Sequence, residues 1–272
     1  MKLYLGRAGW CRHPEATAIR GGTWRAVSFP GLFALLDHPS RGPVLVDTGY
    51  APRFHEATRR WPYWALGRVA PARVTEGDTA AAWLRARGIA ARDVRHVLVT
   101  HFHADHVAGL RDFPRATFHF LGEGWNALRA LRGMGALRQG FLPDLIPGDF
   151  ESRASPLGSE AVALTAELHP FDRGLDIFGD GTVYAVPLPG HAVGQMGITL
   201  EAEGPGRLLL CADACWLSRA YRENRLPSAL GMRAQHDRAA YVRTLDRLHR
   251  LHARNPTLPI LPSHCRELEV DQ

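Results

Sequence analysis

Thr100-His101-Phe102-His103-Ala104-Asp105-His106 places three imidazoles and one carboxylate within six residues of this chain. The apolar run Val94–Val99 comes directly before it and predicts a strand. Because successive side chains of an extended chain point to opposite faces, His101 and His103 are expected to point the same way. Imidazole nitrogens and carboxylate oxygens are ligands that suit zinc and other divalent transition metals. The stretch therefore predicts a metal site where the chain leaves a strand.

A chance cluster is the alternative, because the chain has 14 histidines. Further candidate ligands downstream argue against chance, and they occur in the order of a known family. These are His191 at the end of Pro187–His191, Asp213 at the end of Leu208–Asp213, and His264 at the end of Leu261–His264. Together with the histidine-rich stretch, they resemble the metallo-β-lactamase-fold hydrolases. The resemblance extends from Met1 to His264.

The resemblance implies an α/β fold of the αββα sandwich type. Two mixed sheets would face each other, helices would cover their outer faces, and the metal site would lie at one edge. A chain of 272 residues is long enough to bury one large core, so a single domain over residues 1–272 is expected.

The same resemblance implies two divalent metal ions. The implied ligands are His101, His103 and His191 for the first ion, Asp105, His106 and His264 for the second, and Asp213 between both. Seven ligands are too many for one tetrahedral ion and suit a pair with a shared bridge. Zinc is the expected metal, although the same ligand types accept cobalt, manganese or iron. Asp47, in the turn Asp47-Thr48-Gly49, is expected to orient a ligand histidine or its loop.

Within the family, the N-acyl-homoserine lactonases, which are quorum-quenching enzymes, look most similar. The likeness lies in Lys2–Leu5, Gly42–Gly49 and His101–His106, and in the spacing to the later ligands. It implies that hydroxide bridging the two ions attacks the carbonyl of a lactone or a related ester. Asp105 and Asp213 are then the candidate catalytic carboxylates, with Asp213 returning a proton to the leaving alkoxide.

Two departures concern the substrate side of the site. The lactonases carry a tyrosine three residues after the bridging aspartate, and this chain has Trp216 there. An indole N–H donates one hydrogen bond but accepts none. Trp216 and the nearby Tyr221 are therefore candidate substrate-binding residues, with a packing role as the alternative for Tyr221. The motif also continues as Val107-Ala108-Gly109-Leu110, where Ala-Gly-Gly is usual in the lactonases.

Other functions of this fold remain as alternatives. Metallo-β-lactamases of the two-zinc type carry a cysteine at the position of Asp213, which argues against antibiotic hydrolysis. A thioester or phosphodiester hydrolase similar to glyoxalase II is one alternative, although the segment after His264 is short for a glutathione-binding region. A weakly catalytic, metal-loaded protein that acts by binding a signal is the other.

The charge and the cysteines bear on partners and compartment. The formal net charge is +6, but all except Lys2 of the 33 basic residues are arginines scattered through the chain, so no nucleic-acid partner is expected. The four cysteines form no C-x-x-C motif. Met1–Leu5 is too short an apolar run to predict a signal peptide, and no run of about 18 apolar residues predicts a membrane span. A reduced protein of the cytoplasm that acts on a small lactone or ester is expected.

Local patterns predict the remaining elements. Lys2–Leu5 predicts a strand and Gly6–Thr23 a loop, in which His13 would be a loop or surface histidine, as would His55. Thr79–Arg87 predicts a helix capped by Asp78, and His236–Arg254 predicts the clearest helix of the chain. Gly133–Glu160 is expected to form loops and helices over the active site. The aromatic stretch Arg60–Leu66 has three interpretations: a core patch under a loop, a lid or wall for an apolar substrate, or the contact of a homodimer.

Overall fold

Two β-sheets pack face to face in this protein, as a computed structural model describes it for residues 1–271. The first sheet has the order β4-β1-β2-β3-β5-β6-β7, with β1 (Lys2–Pro14), β2 (Ala26–His38), β3 (Gly42–Val46), β4 (Ala72–Arg73), β5 (His96–Leu98), β6 (Thr117–Leu121) and β7 (Ala154–Leu157). The second has the order β13-β12-β11-β10-β9-β8, with β8 (Val162–Ala163), β9 (Arg173–Asp176), β10 (Val183–Pro187), β11 (Met196–Ala202), β12 (Gly206–Ala212) and β13 (Ile260–Pro262).

Helices lie between the strands in sequence, and some of them pack against the sheets. They are α1 (Arg53–Ala57), α2 (Trp64–Val69), α3 (Ala80–Ala86), α4 (Ala104–Val107), α5 (Gly122–Leu128), α6 (Gly133–Arg138), α7 (Ser218–Arg222), α8 (Ala229–Arg233) and α9 (Arg238–Arg254). Short 3-10 turns lie at Glu15–Thr17, Glu76–Asp78, Ala91–Asp93, Leu110–Asp112, Pro143–Leu145, Glu151–Arg153 and Ala166–Leu168. Within residues 1–271, no helix is long and apolar enough to cross a bilayer.

Strand direction brings the ends of distant segments to one edge of the sandwich. In the first sheet β3 and β5 are parallel, with Val46 paired to Leu98. The chain that follows β3 and the chain that follows β5 therefore leave the sheet side by side. In the second sheet β12 and β13 are also parallel, with Ala212 paired to Pro262. The turns after these two strands are neighbours for the same reason.

Alternation along the strands divides the apolar residues between two cores. Leu36 and Val44 point toward the second sheet, while their neighbours Leu35 and Leu45 point toward the helices. The inter-sheet core includes Leu98, Met196, Ile198, Leu200 and Leu208 as well. On the outer side of the second sheet, Leu245, Leu248 and Leu251 of α9 are buried in the other core. The predicted αββα sandwich with two mixed sheets is confirmed.

The predicted loop Gly6–Thr23 is wrong for its first half, because β1 continues to Pro14. Residues Trp10 to Pro14 pair with Pro30 to Ala26 of β2, after an irregularity between Arg7 and Trp10. Gly9 lies within that irregularity with φ +70°, a left-handed conformation that favours glycine. The glycine thus bends a continuous strand, and the strand carries His13 away from the exposed loop that the sequence suggested.

Three smaller corrections concern other elements. Helix α3 begins at Ala80 with Thr79 as its cap, whereas Asp78 belongs to the preceding 3-10 turn, where its carboxylate accepts a hydrogen bond at 2.9 Å from the backbone N–H of Thr75, the cap of that turn. The longest helix, α9, begins at Arg238 after the cap Asp237. The region Gly133–Glu160 contains loops and the helix α6, as expected, but it also contains the strand β7. The caps Thr79 and Asp237 determine where the two helices begin, and β7 forms because it pairs with β6.

Candidate metal centre

Four of the predicted ligands come from the chain after β5. Val97, Leu98 and Val99 are fully buried and fix the direction in which this segment leaves the sheet. His101 is fully buried directly after it, and α4 starts at Ala104 so that Asp105 and His106 lie on its first turn. Because of this short helix, the side chain of His106 lies close to those of His101 and Asp105.

The structure brings all seven predicted ligands together in three overlapping groups. In each group the potential ligand atoms lie within 4.8 Å of one another. The groups are His101, His103 and His191; Asp105, His106 and His264; and His101, His106 and Asp213. The first two groups contain the residues that were predicted to hold the two ions, and binding of metal by them stays a prediction. The third joins them, because Asp213 contacts residues of both.

Asp213 lies at the centre of this arrangement. Its Oδ2 is 3.1 Å from Nε2 of His264 and 3.4 Å from Nε2 of His191. Its Oδ1 is 3.4 Å from Nε2 of His106. Asp105 approaches from the side, with Oδ2 3.2 Å from Nε2 of His264. A single carboxylate therefore touches both groups of imidazoles, which is the position of a bridging ligand.

Asp47 holds the histidine motif in place by accepting hydrogen bonds from two of its residues. Nδ1 of His106 donates a hydrogen bond to Oδ2 of Asp47 at 2.7 Å. The backbone N–H and the hydroxyl of Thr100 donate to the same carboxylate at 2.8 and 2.7 Å. Since Nδ1 of His106 is occupied in this way, Nε2 is left to face the site. The role predicted for Asp47 agrees with these contacts.

Two further partners orient ligand histidines, and neither was predicted from the sequence. Nδ1 of His191 donates to Oε1 of Gln235 at 2.9 Å, and Nε2 of Gln235 donates to the carbonyl of Gly231 at 3.0 Å. Nδ1 of His264 donates to the carbonyl of Pro30 at 2.7 Å. Both partners lie far from their histidines in sequence, so no local pattern marks them.

The surroundings of three histidines favour their neutral form. Burial lowers the pKa of His101, His103 and His191, and for His103 the value is about 3. Neighbouring imidazoles lower the pKa of His101 and His103 further. A metal ligand must present an unprotonated nitrogen, so this environment prepares the group for a cation.

The other half of the site contains more negative charge. Burial disfavours the charged form of His106, but the carboxylates of Asp47 and Asp213 overcome it and raise its pKa well above the usual value. The pKa of His264 is raised by Asp213 in the same way. Burial would raise the pKa of Asp213, but the charges of His264 and His106 lower it well below its usual value. Buried ionised carboxylates such as Asp213 are stable only with positive charge beside them, which protonated histidines or a bound cation can supply.

Unpaired buried atoms test whether these residues fit metal ions. Nε2 of His101, Nε2 of His106 and Oδ1 of Asp213 are buried and have no hydrogen-bond partner within residues 1–271. The 3.4 Å approach of His106 to Asp213 lacks the geometry of a hydrogen bond. Buried polar atoms without partners destabilise a fold, and divalent cations would satisfy all three. The donor set, two nitrogen-rich groups with a shared carboxylate, fits a pair of transition metals.

A cavity of about 610 Å³ opens over the centre and contains His103, Asp105, His191 and Asp213 in its lining. Its outer wall is mainly apolar and includes Leu66, Val69, Leu137 and Leu230. Val69 and Leu230 are 66% and 54% exposed, so apolar surface extends to the cavity mouth. The expectation that part of Gly133–Glu160 lies over the site agrees with the position of Leu137 to Gly140 in this wall.

The two predicted substrate-binding residues are placed differently. Trp216 lies in the cavity wall, with its ring centroid 4.6 Å from that of His264. Tyr221 is 3% exposed and is not among the lining residues, and its hydroxyl donates to the carbonyl of Ile260 at 3.2 Å. Its placement favours the packing role that was the alternative. Binding of substrate by Trp216 stays a prediction.

Comparison with known proteins agrees with this geometry. The model of the metallo-beta-lactamase superfamily matches residues 29–255, which is most of the chain. The chain belongs to this superfamily. As a metallo-beta-lactamase superfamily member with this centre, it is a metal-dependent hydrolase.

Among relatives of this hydrolase, an N-acyl homoserine lactonase, AttM, from Azorhizobium caulinodans is 29% identical over 243 residues, which cover 85% of this chain and 82% of AttM. A solved variant of AiiA from B. thuringiensis, with N-decanoyl-L-homoserine bound at its active site, superimposes with a TM-score of 0.70 at 20% identity, covering 98% of this chain and 94% of that one. AidC, a dizinc quorum-quenching lactonase, gives a TM-score of 0.67 at 14% identity over 97% of this chain and 87% of its own. The two structures share the fold of this hydrolase.

Proposed function

We propose that this hydrolase opens the ring of a lactone of the N-acyl-homoserine lactone type, or cleaves a related ester, with two divalent metal ions. The observation that carries the proposal is the convergence of seven metal-binding side chains below one cavity with an apolar wall. The names of the relatives AttM and AidC, both lactonases, support the choice of substrate.

The proposed ligands are those of the sequence prediction. His101, His103 and His191 would hold one ion, Asp105, His106 and His264 the other, and Asp213 both. When bound, a pair of divalent ions polarises a carbonyl group and supplies hydroxide at neutral pH. We propose zinc, and the dizinc centre of AidC supports that choice.

The two carboxylates have different proposed tasks. Asp213 is 1% exposed and lies between both imidazole groups, where it can return a proton to the alkoxide that leaves the opened ring. Asp105 is 16% exposed and lies in the cavity lining, where it can accept a hydrogen bond from the water that is added across the ring. The net reaction adds one water to the ring C–O bond and gives a hydroxy acid. No other co-reactant is needed.

The apolar wall supports an acyl chain on the substrate. Leu66, Val69 and Leu230 would cover the alkyl part and remove it from water, with about 0.8 kcal/mol for each buried methylene. Longer acyl chains should then be hydrolysed with lower KM until the wall ends.

The test of the proposal is hydrolysis of a lactone panel by metal-loaded protein. It contains N-acyl-homoserine lactones with short and long chains beside simple γ- and δ-lactones, and His101→Ala and Asp213→Ala serve as inactive controls. Turnover by the native protein that is lost in both variants supports the proposal. Protein with two metals per chain but without lactone turnover would refute it, and thioesters and phosphodiesters would be tested next.

We also propose a cytoplasmic protein that forms a homodimer. The four free thiols, all buried, support a reducing compartment. Trp61 and Trp64 are 69% and 41% exposed, so the interpretation of this stretch as a core patch does not hold for them. Their exposure supports a contact with a second copy. Light scattering of the native protein and of Trp61→Ser tests this, with loss of the dimer mass expected in the variant.

A further inference from the structure

His13 lies in the cavity wall, although the sequence suggested an ordinary loop histidine. Strand β1 ends at Pro14, and alternation places Cys11 and His13 on the same face. Both side chains belong to the lining of the cavity, together with Asp105 and Asp213. His13 is partly buried, and its imidazole makes no hydrogen bond to any other residue from 1 to 271.

Trp216 contacts both His13 and a candidate metal ligand. The ring of His13 meets the indole edge-on, at a centroid distance of 5.9 Å and an angle of 78°. The ring centroid of His264 is 4.6 Å from that of the same indole. His13 itself is not in any of the groups of candidate metal ligands among residues 1–271, although it lines the same cavity as Asp105 and Asp213. Its imidazole is therefore placed to meet a part of a bound substrate other than the reacting carbonyl.

The imidazole is suited to a partner with both a donor and an acceptor. Burial lowers the pKa of His13, although the negative charge of Asp105 opposes this effect. A neutral imidazole offers one N–H donor and one nitrogen acceptor. A secondary amide offers the complementary pair, one C=O and one N–H. An aliphatic lactone without an amide offers neither group beyond its ring.

We propose that His13 hydrogen-bonds the amide next to the lactone ring and so selects N-acylated lactones over simple lactones. The inference rests on the proposed lactone hydrolysis and adds to it a residue that determines specificity. His13 does not touch the reacting atoms in this scheme. Its loss should therefore affect binding of the amide-bearing substrate and leave the chemistry of ring opening intact.

The experiment compares two substrates with alkyl chains of equal length, an N-acyl-homoserine lactone and a simple γ-lactone. For His13→Ala we expect kcat/KM to fall about tenfold on the first, mainly through KM, which is the effect of losing one buried hydrogen bond. On the simple lactone it should stay within about twofold of the native value. His13→Gln keeps a donor and an acceptor and should recover most of the loss. His55→Ala, an exposed histidine, is the matched control.

A binding measurement separates this role from a structural one. The γ-lactam analogue of the N-acylated substrate should bind about tenfold more weakly to His13→Ala by calorimetry, with metal content unchanged. Equal losses on both lactones, or no loss on either, would overturn the inference while leaving the lactonase proposal intact. If the native protein hydrolyses no lactone, the proposed function itself fails, and this inference fails with it.

Discussion

Nδ1 of His106 lies 2.7 Å from Oδ2 of Asp47, a residue 59 positions earlier in the chain. The contact joins the turn after β3 to the turn after β5, because those two strands run in parallel. Thr100 donates twice to the same carboxylate, so Asp47 holds the whole histidine motif. The position of a ligand is thus determined by a residue that faces away from the cavity.

Asp47→Asn should lower metal affinity about 10- to 100-fold, because the amide lacks the charge that orients His106 and makes it a better ligand. Asparagine also tolerates the backbone φ of 60° at this position. Metal content after dialysis, measured by inductively coupled plasma mass spectrometry, checks this. Asp37→Asn is the control, since that carboxylate is exposed on β2. Full metal occupancy in Asp47→Asn would contradict the role assigned here.

Gln235 is expected to act on His191 in a similar way. Gln235→Leu removes the acceptor for Nδ1 of His191 and should weaken metal binding several-fold. Gln235→Glu keeps an acceptor at the same position and should bind metal at least as well as the native protein. A competition titration with a chromophoric chelator measures both variants. Equal affinities of the two variants would show that the hydrogen bond is not what orients this ligand.

Gly140 controls the space beside His103. A Cβ atom at position 140 would lie 2.6 Å from Cδ2 of that imidazole, and the backbone φ is +61°. Gly140→Ala should therefore displace the ring and lower both metal occupancy and turnover.

Gly133→Ala is the matched control for this change, because Gly133 has a φ of +56° and a Cβ atom at that position would meet nothing within 4 Å. Both variants bear a similar backbone strain, of about 1–2 kcal/mol, because alanine has a Cβ atom in a left-handed conformation. Thermal stability should fall alike in the two, while only Gly140→Ala should lose metal. Equal metal contents would contradict the steric explanation.

A pair of histidines on the neighbouring strands β5 and β6 predicts sensitivity to acid. Nε2 of His119 lies 3.0 Å from Nδ1 of His96. Burial, the neighbouring His96 and Arg41 lower the pKa of His119 to about 4. Between about pH 6.5 and pH 4 the unfolded chain binds a proton at this residue and the folded chain does not. The contribution of the neutral His119 to the free energy of unfolding should therefore be fully present above about pH 6.5. It should decrease as the pH falls from there toward about 4.

Urea unfolding at pH 7 and pH 5 tests this effect. His119→Phe removes the titrating group, so its free energy of unfolding should fall less between the two pH values than that of the native protein. The expected difference is on the order of 1–3 kcal/mol. His169→Ala, at an exposed histidine, should behave like the native protein. An unchanged pH dependence in His119→Phe would show that other groups cause the acid sensitivity.

Much of the fold and the centre was predictable because segments that carry the ligands follow apolar runs. Val94–Val99 and Leu208–Asp213 mark buried strands, and ligands at their ends are local signals. Gln235 and His13 carry no such signal. Gln235 follows α8 and reaches His191 only through tertiary packing, while His13 depends on the pairing of β1 with β2 after a bend at Gly9. Contacts of this kind are determined by long-range register, which a single sequence does not display.

The parallel pair β12 and β13 has a consequence for how folding of this protein can be followed. His264 follows β13, whereas Asp105 and His106 follow β5, so this group of candidate ligands lies together only when β13 has paired with β12 and the two sheets have docked. The other group, His101, His103 and His191, does not include a residue that follows β13. The approach of His264 to Asp105 therefore reports that the second sheet is completely assembled.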